Sequence, residues 1–219
     1  MVGTSGPALR APAVLEWGEL WMLEQSVVSE PFEGPPAVDA ALTASAALAR
    51  LRLPAPPGAH QNPLLGTASA LAYRVRALKP PLPPSDLARA RRMLHRTSLP
   101  LRTGHGDFHR DNLLLCDGVV WAVDWELSGL LPAGFDLCVL WASLDDPTDR
   151  DRLFEGAVAQ VGEEARRDLA VLRYSLTVRT IASKLASPLP DNRDREGAAA
   201  LVELLPALRA EAGVSTARP

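Results

Sequence analysis

Between His105 and Glu126 the chain reads HGDFHRDNLLLCDGVVWAVDWE, with two His, four Asp, an Asn and a Glu set around two short apolar runs. Polar groups held beside core segments cost stability unless they are paired or put to use, so this stretch points to chemistry. LLLC (113–116) and VVWAV (119–123) flank Asp117-Gly118, a pair that tolerates the positive φ angles of a two-residue hairpin turn. In that register Cys116 faces Val119 and Asn112 faces Val123, with Asp124 one residue beyond. Asn112 and Asp124 then emerge at the same open end, roughly 5–7 Å apart at Cα. An amide oxygen and a carboxylate so placed suit one hard cation. Mg²⁺ takes one or two such ligands and completes its shell with water and phosphate oxygens. Asp107 lies five residues before Asn112 on the loop entering the hairpin. A carboxylate there can face the metal without ligating it, and can accept a proton from a hydroxyl attacking a metal-bound phosphate.

The same letters admit a second reading. His105, Asp107, His109 and Asp111 alternate as H-x-D-x-H-x-D, and His and Asp are zinc ligands in metallo-hydrolases. That chemistry wants further ligands downstream, yet His60 and His95 both precede the motif.

The elements that must hold these side chains come from the rest of the 219 residues. Hydrophobic residues make up 47% and charged ones 22%, which predicts a packed core. The net charge of −3 argues against nucleic-acid binding. Arg supplies nearly all the positive charge, because Lys79 and Lys184 are the only lysines. Cys116 and Cys138 sit among apolar neighbours and read as buried thiols suited to a reducing compartment. With no signal-like leader and no long apolar run, the chain reads as a soluble cytoplasmic protein without a membrane span.

Residues 11–17 and 19–25 look like two paired strands across Gly18. A helix is expected from Ala37 to Arg52, with Val38, Leu42, Ser45 and Ala49 on its inner face and Ala41, Leu48 and Leu51 nearby. A short helix over 69–78 and a stiff Pro-rich connector, LKPPLPPS (78–85), follow. Ser85 then reads as the N-cap of a helix through Arg96, with Leu87, Ala90 and Leu94 facing inward. Further helices are expected over 136–145, 149–161, 163–187 and 194–212, the third apolar on several sides as a central helix would be. Asp136 reads as a helix N-cap or a brace of the loop, and the five Trp read as core. The acidic residues Asp145, Asp146, Asp149, Asp151 and Glu155 read as a solvated loop between helices.

HGDFHRDN resembles the H-G-D-x-x-x-x-N catalytic loop of the aminoglycoside phosphotransferases and related small-molecule kinases, a cousin of the protein-kinase H-R-D-x-x-x-x-N. Asp124, in AVDWE, sits where that family has its second metal-binding Asp, and PAGFDL (132–137) resembles its later P-x-x-D-L-A element with one extra residue. The resemblance implies an α+β, protein-kinase-like fold: a mainly helical C-terminal lobe over 29–219, carrying the catalytic β-hairpin, and a truncated N-terminal β lobe over 1–28. It implies an ATP- and Mg²⁺-dependent phosphotransferase acting on a hydroxyl of a small molecule. Asp107 would be the catalytic base, Asn112 and Asp124 the metal ligands, and His105 and Asp136 braces of the loop. Glu24, Gln25, Ser26 and Val27 would form the hinge that reads adenine. Residues 1–28 contain no glycine-rich nucleotide loop and no lysine, Arg10 being the only basic residue there. A non-catalytic binding module is therefore the alternative expectation.

Overall fold

The computed structural model describes residues 9–12, 14–17, 22–24, 28–51, 82, 84–94, 97–186 and 192–214. Within them, three small sheets lie against a helical body. Strands β1 (Leu9–Arg10), β2 (Val14–Trp17) and β3 (Met22–Glu24) come first, and β2 and β3 pair antiparallel as expected, with a register shift between Val14 and Glu16. The pairing of β1 was not expected from the sequence. It runs parallel to a strand more than a hundred residues away, with Leu9 opposite Val120 and Arg10 opposite Trp121, and the Arg10 guanidinium rests 5.4 Å from the Trp121 ring centre.

Helix α1 spans Gly34–Leu48, starting before the expected Ala37 because Pro35 and Pro36 occupy the first helical positions, where a missing N–H costs nothing. Its buried stripe is Ala37, Val38, Ala41, Ala44 and Leu48. Leu42, Ser45 and Ala49 flank this stripe, and Leu51 is exposed, so the inner face is rotated from the one expected. Small alanines let α1 approach closely, which the hydrophobic pattern alone does not reveal. Helix α2 covers Pro84–Leu94, so Ser85 lies inside its first turn rather than capping it. The expected helix at 69–78 and most of the Pro-rich connector fall outside the described residues.

Strand β4 (Leu101–Gly104) pairs antiparallel with β7 (Gly129–Pro132), from Leu101 opposite Pro132 to Gly104 opposite Gly129. Between them, β5 (Leu113–Cys116) and β6 (Val119–Ala122) form the expected hairpin, with Leu113 opposite Ala122 and Cys116 opposite Val119. Asp117 (φ 51°) and Gly118 (φ 71°) make its turn, both in the left-handed region that the tight connection demands. Cys138 is buried, whereas Cys116 is only partly so; both are free thiols.

Four helices complete the body: α3 (Phe135–Ser143), α4 (Pro147–Val161), α5 (Arg166–Ala186) and α6 (Asn192–Glu211). Every residue of α3 from Phe135 to Ala142 is buried. Helix α5 is the hub, with α2, α3 and α6 packed around it and Leu169, Leu172, Tyr174, Leu176, Val178 and Ile181 all buried. Among the described residues no helix is long and apolar enough to cross a membrane. Asp86 of α2 is 1% exposed and ties three helices together: it accepts from Tyr174 Oη of α5 at 2.9 Å and from Arg209 of α6, whose Nε lies at 3.2 Å. Removing a buried carboxylate leaves its partners uncompensated. Asp86→Ala is therefore expected to lower stability by about 3 kcal/mol, read as a reduced midpoint in urea unfolding, whereas an exposed control such as Asp111→Ala should leave the midpoint unchanged.

Candidate active site

The loop from β4 to the hairpin is held from below by Asp136. This residue lies in the first turn of α3, whose N-cap is Gly134, so it braces the loop and does not cap the helix. Its two carboxylate oxygens accept the backbone N–H groups of His105 at 2.8 Å and Gly106 at 2.9 Å. Burial pushes the Asp136 carboxyl up to about 6, while these two N–H donors pull it the other way. At neutral pH both oxygens are free to accept.

His105 is fully buried. Its Nε2 lies 2.9 Å from the Val123 carbonyl oxygen, which can only accept, so Nε2 carries the proton. Nδ1 then accepts the Asp107 N–H at 3.4 Å. Burial lowers the imidazole pKa, which keeps the ring neutral. Trp125 packs edge-on against it at 4.6 Å between ring centres. The His105 ring thus connects the loop to the end of β6, the residue just before Asp124.

Asp107 and Asn112 meet across a single turn. The His109 N–H reaches the Asp107 carbonyl at 2.9 Å, and the Asn112 N–H reaches the His109 carbonyl at 2.9 Å. The Asn112 side-chain Nδ2 donates to the Asp107 carbonyl at 3.0 Å and to its carboxylate Oδ2 at 3.2 Å. Opposite, the Val123 N–H donates to the Asn112 carbonyl at 3.0 Å, the pairing expected from the hairpin register. Asp124 follows with φ 62°, and its side chain makes no capping bond to the 3-10 turn Trp125–Leu127. Among the described residues, Asp117 and Asp124 are the non-glycine residues with positive φ. Asp117 serves the turn; Asp124, with an exposed side chain, takes this unusual backbone conformation just past the hairpin's open end.

His109 was legible in the sequence only as a zinc ligand. In the structure its Nε2 stands 3.4 Å from Asp107 Oδ2, and its Nδ1 stands 3.8 Å from Asp111 Oδ2. His105 is turned away to Val123, and among the described residues no three His, Cys, Asp or Glu side chains converge as a metal cluster would need. The alternating motif therefore does not assemble a zinc site. The proximity of His109 holds the Asp107 carboxyl below the usual range, and Asp107 raises His109 in return. Ser143 also escaped the sequence reading: its Oγ accepts the Arg110 N–H at 3.1 Å and anchors the far side of the loop to α3.

Of the hinge residues, Glu24 ends β3, while Gln25, Ser26 and Val27 lie outside the described residues. Further along, the Glu30 N–H bonds to the Leu115 carbonyl at 2.8 Å, which brings the chain leaving β3 back to the hairpin. The acidic stretch after α3 is not one patch. Asp145 pairs with Arg110 at 2.6 Å, Asp146 caps α4 through the Thr148 and Asp149 N–H groups, Asp149 is buried, and Glu155 pairs with Arg166 at 2.7 Å.

The loop and hairpin sit at the mouth of a mainly helical body, and solved structures share this architecture. A choline/ethanolamine kinase family protein from Mesorhizobium loti matches with TM-score 0.65 at 20% identity, over 91% of this chain and 74% of that one. An ethanolamine kinase from Plasmodium vivax matches with TM-score 0.65 at 11% identity, over 92% and 70%. The ADP-bound aminoglycoside phosphotransferase APH(2'')-Ib matches with TM-score 0.52 at 12% identity, over 91% and 77%. The fold is protein-kinase-like. No curated protein matches the sequence. The profile of the phosphotransferase enzyme family (APH) matches residues 23–174, and the chain belongs to that family.

Gly106 offers a sharp test of the loop. At φ +87° a Cβ would stand 2.2 Å from the Leu127 carbonyl oxygen, whereas at Gly118, φ +71°, a Cβ would meet nothing within 4 Å. Gly118→Ala should cost only the left-handed backbone penalty, about 1–2 kcal/mol. Gly106→Ala should displace the loop from Asp136, and loss of amide protection at positions 105 and 106, whose N–H groups Asp136 accepts, is the hydrogen-exchange readout.

Proposed function

We propose that the protein transfers the γ-phosphoryl group of ATP, in the presence of Mg²⁺, to a hydroxyl of a small molecule. The observation that carries this reading is the joint placement of Asp107 and Asn112, hydrogen-bonded to each other, beside the open hairpin end that presents Asp124. Family membership supports the reaction class, and the ADP-bound state of one structural neighbour supports a nucleotide as donor.

The donor set fits the metal. Asn112 commits its NH₂ to Asp107, leaving the amide oxygen for a cation, and Asp124 offers an exposed carboxylate. These are hard oxygen donors of the kind Mg²⁺ takes. When bound, the ion would offset the negative charge on the phosphate oxygens.

In the transfer, a bond forms between the acceptor oxygen and Pγ while the bond from Pγ to the bridging oxygen breaks. ADP leaves with that electron pair, and the hydroxyl proton passes to Asp107. A carboxylate held low by His109 is a weak base, but a loose phosphoryl transition state needs little proton removal until late. Asp107 therefore acts mainly by orienting the hydroxyl. We assign Glu24 to Val27 to the adenine-reading hinge, 1–28 to a remnant of the N-terminal lobe strands and hinge, and 29–219 to the kinase-like C-terminal lobe. We place the reaction in a reducing cytoplasm that suits the free thiols of Cys116 and Cys138.

Asp107→Asn should lower kcat by about 10²–10⁴-fold with the circular dichroism spectrum unchanged; full activity would remove Asp107 from the mechanism. His109→Ala tests the pairing through pH. Losing the imidazolium lets the Asp107 pKa rise, so the acid limb of the kcat profile should move to higher pH. The pair also stabilises the fold only above the lowered Asp107 value and below the raised His109 value, where both groups are charged.

A further inference from the structure

Asp107 and His109 open onto a cavity of about 570 Å³ between the loop, α3, α4, α5 and α6. That volume suits a molecule of monosaccharide size, within the roughly 300–1,000 Å³ of small-molecule sites. Its charged lining looks balanced until partners are assigned. Arg110 is bound to Asp145 at 2.6 Å, and Lys184 to Asp194 at 3.2 Å. Asp111 lies between His109 and Arg110, and Asp107 faces His109. Glu196 is exposed at the rim, where water screens it.

Two cations remain. Arg179, on α5, has no ion-pair partner among the described residues, yet it is only partly exposed and close enough to Asp107 to help hold that carboxyl low. Arg150, on α4, stacks 5.2 Å from the Trp141 ring centre, and its Nε is buried without a hydrogen-bond partner. Asp145 acts on Arg150 as well but is already bound to Arg110. A partly buried guanidinium that must share its anion is costly, and a planar fork lining a cavity matches a carboxylate or phosphate. The hydroxyls of Thr180 and Ser183 line the same wall.

We infer that this cavity selects a phosphate acceptor bearing an anionic group, held by Arg179 and Arg150 while its hydroxyl faces Asp107. The inference rests on the phosphotransferase reading. An ammonium-bearing acceptor would meet two guanidiniums that form no ion pair among the described residues, since Asp145 is bound to Arg110 and Asp107 faces His109.

A matched set of hexoses tests this: glucuronate and glucose 6-phosphate as carboxylate and phosphate, glucose as the neutral member, glucosamine as the cation. Phosphate transfer measured by ADP release should favour an acidic member over glucose by at least roughly tenfold in kcat/KM, with glucosamine last, and added salt should erode the preference. Whichever acid leads identifies the anion. Arg179→Gln should cut the acid-to-glucose ratio by roughly 10–100-fold, and Arg179→Lys should restore part of it. A preference for glucosamine overturns the inference and leaves the phosphotransferase reading standing, as does a ratio that Arg179→Gln and salt both leave unmoved. If no hexose is phosphorylated, calorimetric titration of glucuronate decides. Saturable binding weakened by Arg179→Gln upholds the anion site while counting against the transfer reaction, and no saturable binding overturns the inference.

Discussion

The carboxylate of Asp136, buried under the loop and accepting two consecutive peptide N–H groups, converts a run of polar residues into a rigid shelf. Burying a carboxylate is unfavourable unless its oxygens are satisfied, and here both are. Because Asp136 belongs to the first turn of a helix that is buried almost throughout, the shelf inherits the rigidity of the core. Gly106 can lie flat under the Leu127 carbonyl only because it lacks a side chain. His105 then joins the shelf to the hairpin end through Val123, and Asn112 joins the hairpin start to Asp107. Loop, helix and hairpin are thereby locked in one frame, and the groups assigned to chemistry inherit their positions from it.

Much of that frame was legible in the sequence because it is local. Asp117-Gly118 determines the hairpin register, and the register brings Asn112 opposite Val123 without reference to any other part of the chain. The helices from Phe135 onward were legible for the same reason, their apolar periodicity being strong and their connectors short. What escaped notice depends on contacts between distant segments. Two residues of β1 carry no strand pattern, yet they pair with β6; LRTG and GLLP show no alternation, yet they form the ribbon that carries the loop. The inner face of α1 is rotated from the one its pattern predicts because alanines pack there for their small size. His109 carried a motif signal that pointed to the wrong chemistry, since alternation in sequence is lost once the loop folds into a turn. Arg179 did leave a trace: a lone charge in the otherwise uncharged LTVRTIAS of the central helix.

Electrostatics divide the site into two neighbouring regions. On the hairpin side, amide and carboxylate oxygens gather where a cation would be needed. On the helical side, Arg150 and Arg179 line the cavity without an ion pair among the described residues, although the whole chain carries a net charge of −3. Asp107 stands on the boundary, its carboxyl held low by His109 and Arg179. Such a division favours a donor delivered with a divalent ion on one side and an acceptor recognised by its own charge on the other.

The central claim is that Asn112 and Asp124 serve one shared cation next to Asp107. A double-mutant cycle on binding of a non-hydrolysable ATP analogue, titrated by calorimetry with and without Mg²⁺, tests it directly. With a common ion, Asn112→Ala and Asp124→Ala should each remove most of the Mg²⁺-dependent affinity, and the double variant should lose little more, a coupling of about 1–3 kcal/mol. Affinity indifferent to Mg²⁺, or losses that simply add, would contradict the account.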